Sequence, residues 1–170
     1  KSGLSYGVVG SSGCGKSTLL KLALRQFDVT SGEICIDNVP IKNIELNSLR
    51  NTIGIIPQET TLFNDSIYYN IHYAKLSATK NDVYLAAKRA HIHNNIMSMK
   101  DGYDTIVGER GVKLSGGEKQ RISCARMMLV NFPIVFCDEA TSSFDPTTEF
   151  EIMQNFRTLT SNKTYLYVDY

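Results

Sequence analysis

The stretch Gly10-Ser11-Ser12-Gly13-Cys14-Gly15-Lys16-Ser17 decides how the rest of the chain is read. A polyanion presents several negative oxygens that no single side chain can match. Successive backbone N–H groups at a helix start can match them, and glycines let that backbone come close. Lys16 adds a point charge for the outer phosphates, the Ser17 hydroxyl is a hard oxygen ligand for magnesium, and Thr18 carries the loop into the helix. The surroundings agree. Residues 4–9 form a short, mostly apolar run ending at Gly10, and residues 16–25 are leucine-rich with helical spacing through Leu19, Leu20, Leu22 and Leu24. Strand, glycine loop and helix in that order predict a cradle for a nucleoside triphosphate with magnesium; the alternative is a glycine-rich turn with an incidental lysine.

Such a cradle needs acids at a strand end, because magnesium requires oxygen ligands and an attacking water requires a base or an orienting group. Ile134-Val135-Phe136-Cys137-Asp138-Glu139 supplies both. The apolar residues predict a core strand, Asp138 is the candidate magnesium ligand, and Glu139 the candidate group that polarises water. Without the upstream loop, two acids after a strand would read as a turn or a helix cap.

The remaining pattern is an alternation of strands and helices, which predicts a parallel α/β core. Residues 32–44, with Ile34 and Ile36 ahead of Asp37-Asn38, read as a small β hairpin, and residues 53–57 as another strand. From Ser66 to about Met99 the signal turns helical, with a Thr79-x-x-Asp82 start before the run 83–90. Residues 116–130 and 146–159 read as helices and residues 164–168 as a further strand. One domain over 1–170 is expected, with an inserted helical subdomain at about 64–130.

Leu114-Ser115-Gly116-Gly117-Glu118-Lys119-Gln120 places a serine and two glycines at the start of a strong helix. This is a second candidate anion-binding helix end in the same chain; an ordinary Ser N-cap with glycines in the first turn is the plainer alternative. With both stretches present, the chain resembles, over essentially all of its 170 residues, the nucleotide-binding domain of ATP-binding-cassette transporters. The resemblance implies a P-loop NTPase fold of cassette type and ATP with Mg2+ as ligands. It implies Gln58 as the glutamine that touches magnesium and water and senses a membrane domain. It also implies Ser142-Ser143-Phe144-Asp145 as the loop that follows the acids. Two such domains pack head to tail in that family, so Ser115, with Gly116, Gly117 and Glu118, is expected to meet the γ-phosphate held by Lys16 of a second copy. Read without the family, Gln58 is a polar residue after a strand, and Asp145 before Pro146 is a helix N-cap.

Within the family, Thr105-Ile106-Val107-Gly108-Glu109-Arg110-Gly111 is similar to the exporter-type loop that contacts transmembrane helices. The block from Leu62 to Tyr73 and the stretch Leu76 to Thr79 are similar to the mitochondrial half-transporters that export a sulfur-containing, glutathione-related compound for iron–sulfur protein assembly. The implied location is the mitochondrial inner membrane, with the domain facing the matrix, joined to a transmembrane domain of the same parent chain and paired with a second nucleotide-binding domain. The implied activity is ATP hydrolysis that drives export, carried by Glu139, Gln58 and Lys16.

Two departures stand out. Tyr6 is too close to Gly10 to be the adenine-stacking aromatic, which in the family lies further upstream. Tyr170 falls where the switch histidine is expected, while His72, His91 and His93 all precede Leu114 to Gln120, the stretch that matches the family's signature motif, and read as solvated or core residues. A phenol cannot carry positive charge toward a γ-phosphate as an imidazolium can. Slow turnover is therefore expected, and a nucleotide-gated dimerisation module is the alternative to an efficient ATPase.

Composition narrows the field further. A formal net charge of +1 leaves no basic stripe for a phosphodiester backbone, so nucleic acid is not expected as a partner. A soluble cassette ATPase of chromosome or repair type would carry a long coiled-coil insertion, whereas residues 58–114 are compact. Cys14, Cys35, Cys124 and Cys137 have no metal-ligand spacing and are expected to be reduced, several of them in apolar or small-residue surroundings typical of buried thiols. The longest apolar stretches are strand-sized, far short of the ~20 residues that span a bilayer. A start at Lys1 without Met, and an end at Tyr170 directly after a strand-like run, suggest a piece of a longer chain.

Overall fold

Strands and helices alternate along the chain in the order β1 (Ser5–Val9), α1 (Lys16–Ala23), β2 (Cys35–Ile36), β3 (Val39–Pro40), α2 (Leu46–Thr52), β4 (Ile53–Ile56), α3 (Ile67–His72), α4 (Lys80–Arg89), α5 (His93–Ser98), α6 (Gly116–Val130), β5 (Ile134–Asp138), α7 (Pro146–Leu159) and β6 (Thr164–Asp169). The structure, a computed structural model, describes residues 3–11, 13–109, 111–138, 144–159 and 163–169. The described residues fall into two compact units. One lies within Lys1–Ile55, Phe132–Glu139 and Asn162–Tyr170, the other within Ile56–Asn131 and Ala140–Ser161.

The first unit is built on a four-stranded sheet in the order β1-β6-β5-β4. β6 runs parallel to both of its neighbours, with Ser5 opposite Tyr165 and Val9 opposite Asp169 on one side, and Ile134 opposite Thr164 and Asp138 opposite Val168 on the other. Leu20 and Leu24 meet Leu49, Ile53, Phe136 and Val168 in one apolar cluster, with Val8 and Leu166 packed against it. Of the four leucines in 16–25, Leu20 and Leu24 face the core, whereas Leu19 is exposed. The helix stops because Arg25 takes a left-handed φ of 50°. The Asp37-Asn38 turn, with φ of 49° and 66°, closes the antiparallel hairpin of β2 and β3. Both turn residues tolerate that region better than others do, as a two-residue hairpin turn requires.

The second unit contains the helices of the region that reads as continuously helical. It divides into α3, α4 and α5 because each start is separately capped or turned. Ser66 accepts from the Tyr69 N–H, Thr79 and Asp82 form a reciprocal capping box, and His91 interrupts the path at φ 53°. α3 and α4 both pack on α6, burying Ile67, Ile71, Val83, Ala87 and Ile122 to 0% exposure. Among the described residues no helix is long and apolar enough to cross a membrane.

α2 is a helix that the sequence pattern does not signal. Glu45 caps it by accepting from the Ser48 N–H, and Leu49, 1% exposed, anchors it in the first unit's core.

Candidate functional site

β1, β6 and β5 run the same way, so the turn after Val9 and the residue Asp138 emerge at one end of the sheet, where parallel α/β sheets place their ligands. The loop there is tightly wound. Gly13 and Gly15 have φ of 79° and 100°, and the Cys14 N–H donates to the Ser11 carbonyl at 3.2 Å. Gly15 occupies the N-cap of α1 in a left-handed conformation, which glycine adopts without steric cost. A methyl group on Gly10 would lie 2.8 Å from the Cys14 sulfur, so a larger residue there requires the Cys14 side chain to move.

Lys16 folds back over this loop. Its ammonium donates to the Gly10 carbonyl and, at 3.2 Å, to the Ser11 carbonyl, and the residue is 8% exposed. The Ser17 hydroxyl donates to Asp138 Oδ1 at 3.2 Å. A hydroxyl and a carboxylate converging beside a helix start form a hard-oxygen pair, and this donor set fits magnesium. Thr18 lies in the first turn of α1. Ser12 and Glu139 lie outside the described residues.

Gln58, Ser115, Gly116, Gly117, Glu118 and Asp145 all belong to the second unit. Ser115 is the N-cap of α6 in a complete capping box. Its hydroxyl accepts from the Glu118 N–H, while Glu118 Oε2 accepts from the Ser115 N–H at 2.8 Å and from its hydroxyl at 2.9 Å. Ser115 thus caps α6, with the Glu118 carboxylate taking its N–H and hydroxyl. Asp145 likewise caps α7, accepting from the backbone N–H groups of Thr147 and Thr148 at 3.1 and 3.0 Å. The Thr148 hydroxyl and N–H hold its carboxyl below the usual carboxylate range. Ser142 and Ser143 lie outside the described residues, as do Arg110 and Tyr170.

Two stretches that carry the family resemblance, 62–73 and 105–111, are joined within the second unit. The Ile67 N–H donates to the Thr105 carbonyl and the Val107 N–H to the Asp65 carbonyl, both at 3.0 Å. Beside this seam Phe63, Tyr73 and Ile106 are exposed, and the Phe63 and Tyr73 rings pack with centroids 4.6 Å apart. Asn70, 0% exposed, shapes the turn by donating to the carbonyls of Phe63 and Ser66 and accepting from the Phe63 N–H.

The histidines make local contacts. His72 lies 3.1 Å from the Ala78 carbonyl and His93 lies 2.8 Å from the Tyr103 hydroxyl. His91 pairs with Glu151 at 3.1 Å. No disulfide joins the four cysteines; Cys124 and Cys137 are buried but Cys14 and Cys35 exposed, so the expectation of buried thiols holds for two. Burial pushes the Cys137 thiol up to about 12.

Sequence reasoning assigned no role to Gln120 and Arg126. Gln120 lies on the face of α6 that also buries Ser123, Cys124 and Met127, and a polar side chain on a buried stripe is the signal that marks such a residue; Arg126 projects from another side of the helix.

The family model described as ABC transporter matches residues 1–142. The chain is 55% identical over 166 residues to "ABC transporter B family member 24, mitochondrial" of Arabidopsis thaliana, covering 98% of this chain and 24% of that protein. It is 50% identical over 157 residues to "Iron-sulfur clusters transporter ATM1, mitochondrial" of Gibberella zeae, covering 92% of this chain and 22% of that protein. It also superposes on a bacterial Atm1-family ABC exporter with ATP bound at a TM-score of 0.94 and 45% identity, over 98% of this chain and 29% of that one. The chain thus spans about a quarter of the length of the curated relatives it matches. With the family model matched over most of its length, and with the parallel core and glycine loop of the cassette fold, this chain belongs to the ABC transporter family.

Proposed function

We propose that this chain is the ATP-binding and ATP-hydrolysing part of a half-transporter that exports a compound across the mitochondrial inner membrane. The observation that carries the reading is the pairing of Ser17 with Asp138 beside the Lys16 loop, a hard-oxygen site next to a cationic phosphate cradle. Residues 1–170 are read as one nucleotide-binding domain. The N–H groups of the loop from Gly10 to Thr18, Ser11, Ser12 and Cys14 included, bind the phosphates, and Lys16 neutralises the outer ones. Ser17, Asp138 and Gln58 would hold magnesium, which would supply charge neutralisation and Lewis acidity toward the transferred phosphoryl group. Glu139 accepts a proton from water as that water attacks the γ-phosphorus; the bond to the bridging oxygen breaks and ADP leaves. Ser115, Gly116, Gly117 and Glu118 of a second copy contact the γ-phosphate, and Asp145 belongs to the same assembly.

The exposed Phe63, Tyr73 and Ile106 are read as the face that receives the transmembrane domain of the parent chain. The Gibberella zeae relative is named for iron–sulfur clusters, and a sulfur-containing, glutathione-related compound is proposed as cargo here.

Glu139→Gln tests this reading. With ATP and Mg2+ the variant should trap a dimer of doubled mass on a sizing column, and a variant that stays monomeric at saturating ATP would contradict it. A second reading rests on Tyr170: a domain that binds and dimerises but turns over slowly. Tyr170→His in the full-length protein should then raise ATP turnover, and an unchanged rate removes this reading.

A further inference from the structure

Gln58 and Ser115 lie in the same compact unit, and one buried side chain ties together the segments that carry them. Gln120, on the helix that Ser115 caps, is 3% exposed. Its Nε2 donates to the Pro57 carbonyl at 2.8 Å, and its Oε1 accepts from the Thr60 hydroxyl at 2.9 Å. Pro57 and Thr60 flank Gln58 and Glu59, so the carboxamide grips the segment on both sides of Gln58. Further along α6, Arg126 adds a second hold: Nη1 donates to the Thr61 carbonyl at 3.1 Å, and Nε donates to the Asn70 carbonyl at 2.6 Å. Residues 57–61 are therefore fastened to the signature helix by hydrogen bonds that water does not reach at Gln120.

A carboxamide is the group this arrangement requires. It carries a donor and an acceptor side by side, while a carboxylate would set a second acceptor against the Pro57 carbonyl, and an aliphatic chain would leave both partners unmatched.

We propose that Gln120 is a positioning residue for the reaction. By fixing the backbone of 57–61 to α6 it sets where Gln58 is presented, and it makes Gln58 and Ser115 parts of one rigid body. The inference rests on the proposed reading of Gln58 as a magnesium and water contact. ATP turnover of the full-length transporter, measured against ATP and against Mg2+, tests it with Q120L, Q120E, Q58A and the double variant Q58A/Q120L. Q120L should lower kcat roughly tenfold with KM for ATP little changed, and raise the Mg2+ concentration needed for half-maximal rate. Q120E, which keeps the acceptor for Thr60 but sets a buried carboxylate against the Pro57 carbonyl, should be at least as slow as Q120L. The double variant should be no slower than Q58A alone, because both changes remove the same presented group.

A full kcat in Q120L, or a double variant as slow as the product of the single effects, overturns the inference while leaving the role of Gln58 standing. A silent Q58A overturns the reading of Gln58 and this inference with it. If Q120L does not fold, Thr60→Val, which removes only the hydroxyl at the other end of the grip, carries the same expectation at about threefold.

Discussion

The Ser17 hydroxyl and the Asp138 carboxylate meet at 3.2 Å although 121 residues separate them in the chain. One stands in the first turn of α1 and the other at the end of β5, so the pairing depends on β1 and β5 both running parallel to β6. On the proposed reading this pair is the metal-facing half of the phosphate site. Asp138→Asn keeps the size and an acceptor for Ser17 but removes the charge. Nucleotide affinity measured calorimetrically should fall on the order of tenfold with Mg2+ present and change little without it, as expected when a charged hydrogen-bond acceptor and ligand is neutralised. Equal losses under both conditions would assign Asp138 a role in holding the loop instead.

Gly10→Ala should destabilise the loop by about 1–3 kcal/mol, the usual cost of forcing an extra methyl into a packed place. The new carbon would lie 2.8 Å from the Cys14 sulfur. Adding Cys14→Ala removes that sulfur, so the double variant should recover most of the lost thermal stability and nucleotide affinity. No recovery would mean that the backbone, and not the sulfur, sets the requirement for glycine.

Thiol labelling discriminates between the four cysteines. A maleimide at neutral pH should modify Cys14 and Cys35, which are exposed, and spare Cys124 and Cys137, which are buried. With its thiol pushed up to about 12, Cys137 is also poorly ionised. MgATP should slow labelling of Cys14 and leave Cys35 unaffected, as read by mass spectrometry of the digested protein. Equal protection of both would point to a global change rather than to occupancy of the loop.

Acid should weaken two helix starts together. Asp82, held by the Thr79 hydroxyl and N–H, and Asp145, held by the Thr148 hydroxyl and N–H, both titrate below the ordinary 3.8. A folded-state value below the unfolded one means that the contribution to stability is complete above 3.8 and disappears as pH falls through the lower folded value. Denaturant unfolding followed from pH 6 to pH 2 should therefore show a shallower acid limb in Asp82→Asn/Asp145→Asn than in the parent. Parallel limbs would show that neither carboxylate is linked to folding.

What could be read from the chain before its structure follows from how local each signal is. Gly10 to Ser17 are contiguous, and their chemistry is announced by a strand before and a helix after, so the cradle was legible. Asp138 was legible because four apolar residues precede it. Thr79 with Asp82 marked the start of α4 because a capping box spans only four residues. α2 was missed because seven residues with a single deeply buried side chain, Leu49, carry too little periodicity to stand out. The grip of Gln120 on Pro57 and Thr60 was invisible for a different reason. Its partners are 63 and 60 residues away, and nothing in the local pattern says which segment a buried amide will face.

The place of β6 between β1 and β5 has a consequence for biosynthesis. Among the described strands β1 has β6 as its sheet neighbour, with Ser5 opposite Tyr165. The ribosome therefore delivers the phosphate loop long before the strand that anchors it. At about 5–20 residues per second, the nascent chain spends roughly 7–30 seconds with a complete glycine loop and no ladder for its first strand. Pairing across so long a separation also forms slowly, since loop closure precedes any gain from the contact. β1 thus gains its ladder only once Thr164 to Asp169 have been made, which leaves it open to chaperones, or to the wrong strand, for that interval.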